Sequence, residues 1–399
     1  MSPRRGEGAA RYRVMLYCPD RHLVYDGRTP DEVGVGGGIT ARVRMARALR
    51  RLGHRVTMVV NCSRPRRIDG VDYVPLDGVA RLSGDVVILT TSGGGLDLTP
   101  ALALEAQARL RIVWVHGPDR PAGFEALGAE AVYAVSNFIG RIVRLEWGVA
   151  GERLFVAYNG YEEAGFARAE KRRPRRDPHR LVYFSHPSKG LAAAIGVLRR
   201  LRARDLRFAL HVFGGPGLWG GTGDGPDPED GLVDHGLVGQ TRLAEELLRS
   251  AFSIHLQTRR EPGALAIPDA MRAGCVLLGS PVGCYPEVIR DGVNGFLVPG
   301  DADDDSTQAR AAERVLTLAA NPPMMDSIRR TAQAIPWDTD SMARVWSEHW
   351  AWRLSGRQPD AGLARCASCH AGSLLLADGA HCTTCGQYEP APVESWESA

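Results

Sequence analysis

Residues 36–60 read GGGITARVRMARALRRLGHRVTMVV, and this stretch decides the fold class. Ile39, Val43, Ala46, Leu49 and Leu52 recur on one face at helical spacing. Arg47, Arg50 and Arg51 fill the last turn, where cations offset the helix dipole, and Gly53 supplies a left-handed stop. Val56–Val60 follows as an apolar strand, and a short buried strand, Arg13–Cys18, comes before the glycine loop. Strand, glycine loop, helix, strand is the order of a parallel α/β unit.

The same rhythm continues outward. Val86–Leu89, Ile112–Val115 and Val132–Val135 read as further apolar strands, and a basic run, Lys171-Arg172-Arg173-Pro174-Arg175-Arg176, marks a linker. This run reads either as a contact for an anionic lipid or phosphate, or as a solvated hinge. Beyond it Leu181–Ser185, Phe208–Phe213, Phe252–Gln257 and Cys275–Gly279 read as strands, with helices over Leu191–Leu201, Leu243–Ala251 and Ala266–Ala273. The expected fold is α/β, with two Rossmann-like domains facing across a cleft and a small C-terminal zinc ribbon. The expected bounds are 1–167 for the first domain, 168–178 for the hinge and 179–336 for the second domain. A helix at 337–356, carrying Trp346, Trp350 and Trp352, is expected to pack back across the domains, and the ribbon spans 362–390.

Composition narrows the function classes. The 49 basic and 46 acidic residues nearly cancel, against a dedicated nucleic-acid surface. No apolar run approaches the roughly 20 residues of a membrane span, and the N-terminal residues lack the apolar core of a secretory signal. Together with the cysteine spacing, this leads us to expect a cytoplasmic protein. Lysine occurs only at 171 and 189, which singles out Lys189.

Three motifs in the second half bear on chemistry. Ser185-His186-Pro187-Ser188-Lys189-Gly190 joins a strand end to a helix start, where a lysine suits a diphosphate. Glu261-Pro262-Gly263-Ala264-Leu265-Ala266-Ile267-Pro268-Asp269 sets two carboxylates on either side of a seven-residue spacer whose small residues let backbone N–H groups approach an anion. Gly283-Cys284-Tyr285-Pro286-Glu287 follows, with turn signals at Asp291-Gly292 and Asn294-Gly295.

In order and spacing these motifs resemble glycosyltransferase family four, with its GT-B fold. The resemblance runs from about Arg13 to Leu354, and Val135-Ser136-Asn137, Tyr158-Asn159-Gly160 and Phe166 add to it. It implies retaining transfer from a nucleotide-diphosphate sugar without a catalytic metal. Lys189 is then expected to neutralise the diphosphate, and Glu261 to bond the donor sugar with Pro262, Gly263, Ala264 and Leu265 beside it. Asp269 is expected to accept from the ribose hydroxyls, and Gly36, Gly37 and Gly38 to lie across the cleft from the diphosphate. His116 is expected to contact a sugar. Two features depart from the family: aspartate stands at 269 in place of glutamate, and no arginine accompanies Lys189 upstream, where Ser185 and His186 lie.

Cys366-Ala-Ser-Cys369 and Cys382-Thr-Thr-Cys385 are separated by 12 residues, a spacing that suits one structural zinc in a closed tetrahedral shell. Such a ribbon offers a contact for a protein partner. The donor and an unidentified acceptor are the expected ligands. A nucleotide-sugar epimerase or phosphorylase of the same fold, and a non-catalytic sugar-nucleotide binder recruiting partners through the ribbon, are the competing readings.

Overall fold

The computed structural model describes residues 10–92 and 95–355, and the backbone of 373–376, 379–382 and 388–390. The first half is built on an eight-stranded sheet. Its strands are β1 (Arg13–Tyr17), β2 (Arg55–Val60), β3 (Arg66–Ile68), β4 (Val71–Pro75), β5 (Arg81–Thr91), β6 (Glu105–Val115), β7 (Ala131–Ala134) and β8 (Leu154–Val156). They lie in the order β3-β4-β2-β1-β5-β6-β7-β8. All pairings are parallel except the β3–β4 hairpin. After the short helix α1 (Thr29–Glu32), α2 (Gly37–Arg51) crosses from β1 to β2; α3 (Asn137–Leu145) leads from β7 to β8. Leu16, Val43, Leu49, Val59 and Ile88 are fully buried in the core of this half, as expected when helices cover the faces of a parallel sheet.

The chain crosses to the second half after β8. Helix α4 (Glu163–Glu170) packs on the second half: Phe166 and Ala169 belong to its core, and Arg272 bonds both Glu163 and Glu170. Two arginines of the basic run are bound into the second half. Arg172 reaches Glu245 at 2.7 Å, and Arg176 donates to the carbonyls of Ser250 and Ala273.

The second sheet contains β9 (Asp177–Ser185), β10 (Ala209–Gly214), β11 (Leu232–Asp234), β12 (Ser250–His255), β13 (Val276–Gly279) and β14 (Phe296–Leu297). Their order is β11-β10-β9-β12-β13-β14, parallel throughout. Helices α5 (Leu191–Arg202), α6 (Gln240–Arg249), α7 (Ala266–Ala273), α8 (Tyr285–Val288), α9 (Asp305–Ala319) and α10 (Pro322–Gln333) accompany it. The last described helix, α11 (Thr339–Ser355), returns to the first half, where Trp346 and Trp350 join that core. The two crossings pair with each other: Tyr161 N donates to Trp337 O at 3.0 Å, and Thr339 N to Tyr161 O at 2.9 Å.

In the tail, Ser373–Leu376, Gly379–Cys382 and Tyr388–Pro390 form a three-stranded antiparallel sheet. The zinc expected at Cys366, Cys369, Cys382 and Cys385 lies outside the described residues, since of these four only the backbone of Cys382 is described. Among the described residues no helix is long and apolar enough to cross a membrane.

Candidate functional site

In an open parallel sheet, ligands gather beyond the carboxyl ends of the strands where the strand order reverses. In the second sheet that point lies between β9 and β12, which are neighbours. Lys189 follows β9 and Glu261 follows β12, and the topology brings them together across 72 residues of sequence. Lys189 Nζ lies 2.7 Å from Glu261 Oε2. Gly190, at φ 100°, closes the turn that carries Lys189; a Cβ there would lie 1.7 Å from Leu256 O, so only glycine fits.

Glu261 is held by the third motif. Its carbonyl accepts from Cys284 N at 2.9 Å, and a Cβ at Gly283 would fall 2.2 Å from that same oxygen. Glu287 serves the domain interface. It accepts from Asn137 N (2.9 Å) and Phe138 N (2.5 Å) at the start of α3, and from the Tyr158 hydroxyl (2.7 Å). An anion at a helix N-terminus is a stable pairing. Burial raises the Glu287 carboxyl, and these donors pull against it. Ser136 Oγ donates to Pro262 O at 2.6 Å, and Asn159 Nδ2 to Gly263 O at 3.3 Å. A side chain at 263 would strike Val135, so the glycine lets the two halves approach.

Asp269 sits in the first turn of α7, almost fully buried. Both its oxygens are bonded at 3.0 Å by Arg44 of α2, which also donates to Gln240 Oε1 (2.6 Å) and Gly160 O (3.2 Å). Burial pushes the Asp269 carboxyl up and Arg44 opposes the shift. The sequence placed Asp269 at the cleft but held no sign of this partner, 225 positions away.

From the first half, Gly36, Gly37 and Gly38 line the same cleft at the start of α2. Gly36 N donates to Leu218 O at 2.9 Å, and a Cβ at Gly38 would overlap Ser92 Oγ, so close approach explains both glycines. Gly37 faces Leu265. His116 follows β6; its Nε2 is buried with no hydrogen-bond partner among the described residues, and burial lowers its pKa well below the ordinary imidazole value. Lys189, Glu261, Pro262, Gly263, Ala264, Leu265 and Asp269 line the cleft with these residues, enclosing about 660 Å3. All the site residues named from the sequence, cysteines apart, thus meet in one cavity.

Other residues of the cleft went unread in the sequence. Trp219 stacks on His186 with ring centroids 3.8 Å apart and lies under the Lys189 ammonium at 5.6 Å. His255 ends β12 and Gln257 lies just beyond it, and Arg259 and Arg260 stand in the loop before Glu261. Two adjacent arginines abutting the acidic motif were the one available signal.

Residues 182–334 match the family model of glycosyl transferases group 1. This part of the chain is a glycosyl transferases group 1 domain. The chain is 39% identical over 92 residues to the alpha-maltose-1-phosphate synthase of Mycobacterium tuberculosis, covering 23% of each protein. It is 29% identical over 181 residues to the D-inositol 3-phosphate glycosyltransferase of Streptomyces griseus, covering 41% of this chain and 36% of that one. The matches therefore span well under half of either relative. The fold is similar to that of Anabaena HepE in complex with UDP-glucose, with a TM-score of 0.57 at 15% identity, over 86% of this chain and 100% of that one.

Proposed function

We propose that the chain is a retaining glycosyltransferase that moves a hexose from a nucleotide-diphosphate sugar to an acceptor. The observation that carries this reading is the Lys189–Glu261 pair at the switch point of the second sheet, facing the glycine start of α2 inside a group 1 domain. Two listless charges at a surface would not need such convergence; here four separate segments meet on one cavity. The similarity to a D-inositol 3-phosphate glycosyltransferase, and the UDP-glucose bound by HepE, support a sugar nucleotide as donor.

In this reading Lys189 swings from Glu261 to the diphosphate and stabilises it as it departs, while the sugar passes through an oxocarbenium-like state. Glu261 accepts from sugar hydroxyls. His116, neutral through burial, uses Nε2 toward a sugar hydroxyl. Asp269 keeps acceptor positions for ribose after bonding Arg44, because a carboxylate offers about four. Closure about the paired crossings at Tyr161 and Trp337 excludes water, so that transfer outruns hydrolysis. We also propose that Cys366, Cys369, Cys382 and Cys385 hold one structural zinc; their spacing and the antiparallel backbone between the pairs support it. Metal analysis of the purified chain should find one zinc, absent from Cys366→Ser.

A thermal-shift panel of UDP, GDP, ADP and dTDP tests the donor site. One nucleotide should stabilise the protein, by about 2.7 kcal/mol at a hundred times its Kd; silence from all four removes the reading. With that nucleotide's sugars as donors, Lys189→Ala should abolish turnover, and unchanged turnover takes Lys189 out of the mechanism. The Arg44–Asp269 pair favours a second reading, a sugar-nucleotide binder without turnover, which binding without donor consumption would identify.

A further inference from the structure

We infer that Arg259 and Arg260 supply the positive charge that holds the donor's diphosphate, an inference that rests on the donor-site reading above. The cleft is lined by three cations, Lys189, Arg259 and Arg260, and by three carboxylates, Asp119, Glu261 and Asp269. Lys189 is taken by Glu261 at 2.7 Å, and Asp269 by Arg44 from outside the lining. The lining histidines, His22, His116, His186 and His255, are all held below the ordinary imidazole value, chiefly by burial, and contribute no charge near neutral pH. Without the two arginines the cleft would offer a dianionic diphosphate no net positive charge.

Arg259 and Arg260 are exposed, and no hydrogen bond or ion pair engages either guanidinium among the described residues. Both belong to the loop that runs from the end of β12 to Glu261, on the cleft side of the sheet. Arg259 lies near enough to His186 for its charge to oppose protonation there, which sets it beside the turn that carries Lys189. A guanidinium presents a planar fork of donors that matches a phosphate oxygen pair. Two such forks, adjacent in sequence, replace the single arginine that is missing upstream of Lys189, and they leave Lys189 free to stay with Glu261 until the donor arrives.

Calorimetric titration separates this inference from the reading beneath it. The wild-type chain, Arg259→Ala, Arg260→Ala and the double variant are titrated with UDP, GDP, ADP and dTDP and with the matching nucleosides, at low and high NaCl. Each single variant should weaken the bound diphosphate by about tenfold, with nucleoside affinity unchanged. The double variant should also show a shallower loss of affinity with salt, because fewer exposed charges remain to be screened. Thermal midpoints without ligand should stay at the wild-type value, since neither side chain has a partner among the described residues to lose. If the double variant binds the diphosphate with wild-type affinity and salt dependence, the inference is overturned while the donor site stands. If the wild-type chain binds none of the four, the donor reading itself falls and the inference falls with it.

Discussion

Asp269 and Arg44 pose the sharpest question at the scale of single residues. A buried carboxylate bonded through both oxygens to one guanidinium is stable only while both partners remain. Arg44→Ala should therefore cost about 3–5 kcal/mol, read as a shift in the urea midpoint. The pH dependence follows from the direction of the Asp269 shift. Burial already raises this carboxyl, and Arg44 is what opposes the rise. Without Arg44 the folded-state value climbs further above the unfolded one, so the folded state binds the proton more tightly. The variant's deficit relative to the wild type should then be largest near neutrality and shrink as pH falls into the carboxylate range. A loss of the same size at about pH 5 and about pH 7.5 would contradict this. Lys189 and Glu261 were legible from residue type and position after a strand. The pairing of Asp269 was not, because nothing local to α7 encodes a contact with α2.

Among the elements, α11 ties the end of the described chain back to the first sheet. Trp346 packs edge-on to Trp114 at 4.8 Å and to Tyr133 at 4.9 Å, and both it and Trp350 are almost fully buried. Trp346→Ala should destabilise the protein by about 3–5 kcal/mol, visible as one cooperative loss in calorimetry if α11 and the first sheet melt together. Helices and strands with clean periodicity were read closely: Ile39–Leu52 is α2 at Gly37–Arg51, and Val56–Val60 is β2 at Arg55–Val60. The long β5 and β6 were read only in their apolar ends, since in Arg81–Ser83 only Leu82 is buried and Glu105–Gln107 are exposed, yet both stretches still pair in register. The β3–β4 hairpin went unread for a related reason, as Arg66 and Arg67 carry no alternation. The basic run 171–176 likewise lacks a pattern that would reveal its partners. Arg172 neutralises Glu245, and Arg176 caps carbonyls of the second half.

Acid sensitivity belongs to the molecule as a whole. Burial lowers His255 and His211 from 6.5 to about 3, and His54 to about 4. Each stays neutral in the folded state while the unfolded chain takes up a proton below about pH 6.5. The unfolded state binds more protons in that window, so stability falls as pH drops from about 6.5 toward 4, on the order of 1–2 kcal/mol per histidine. Thermal midpoints measured across this range should decline and should decline less in His255→Asn; a flat profile would show that these rings are charged when folded. The sequence alone determined two α/β halves, since apolar strands and amphipathic helices alternate along the chain and local periodicity is enough to specify them. It also determined which loops carry lysine, carboxylates and glycines to strand ends. Only the tertiary structure decided that Lys189 meets Glu261, that Arg44 holds Asp269, and that Arg259 and Arg260 stand in the cleft without a partner among the described residues. Those facts depend on strand order and on the approach of two halves, which are properties of packing between segments far apart in sequence.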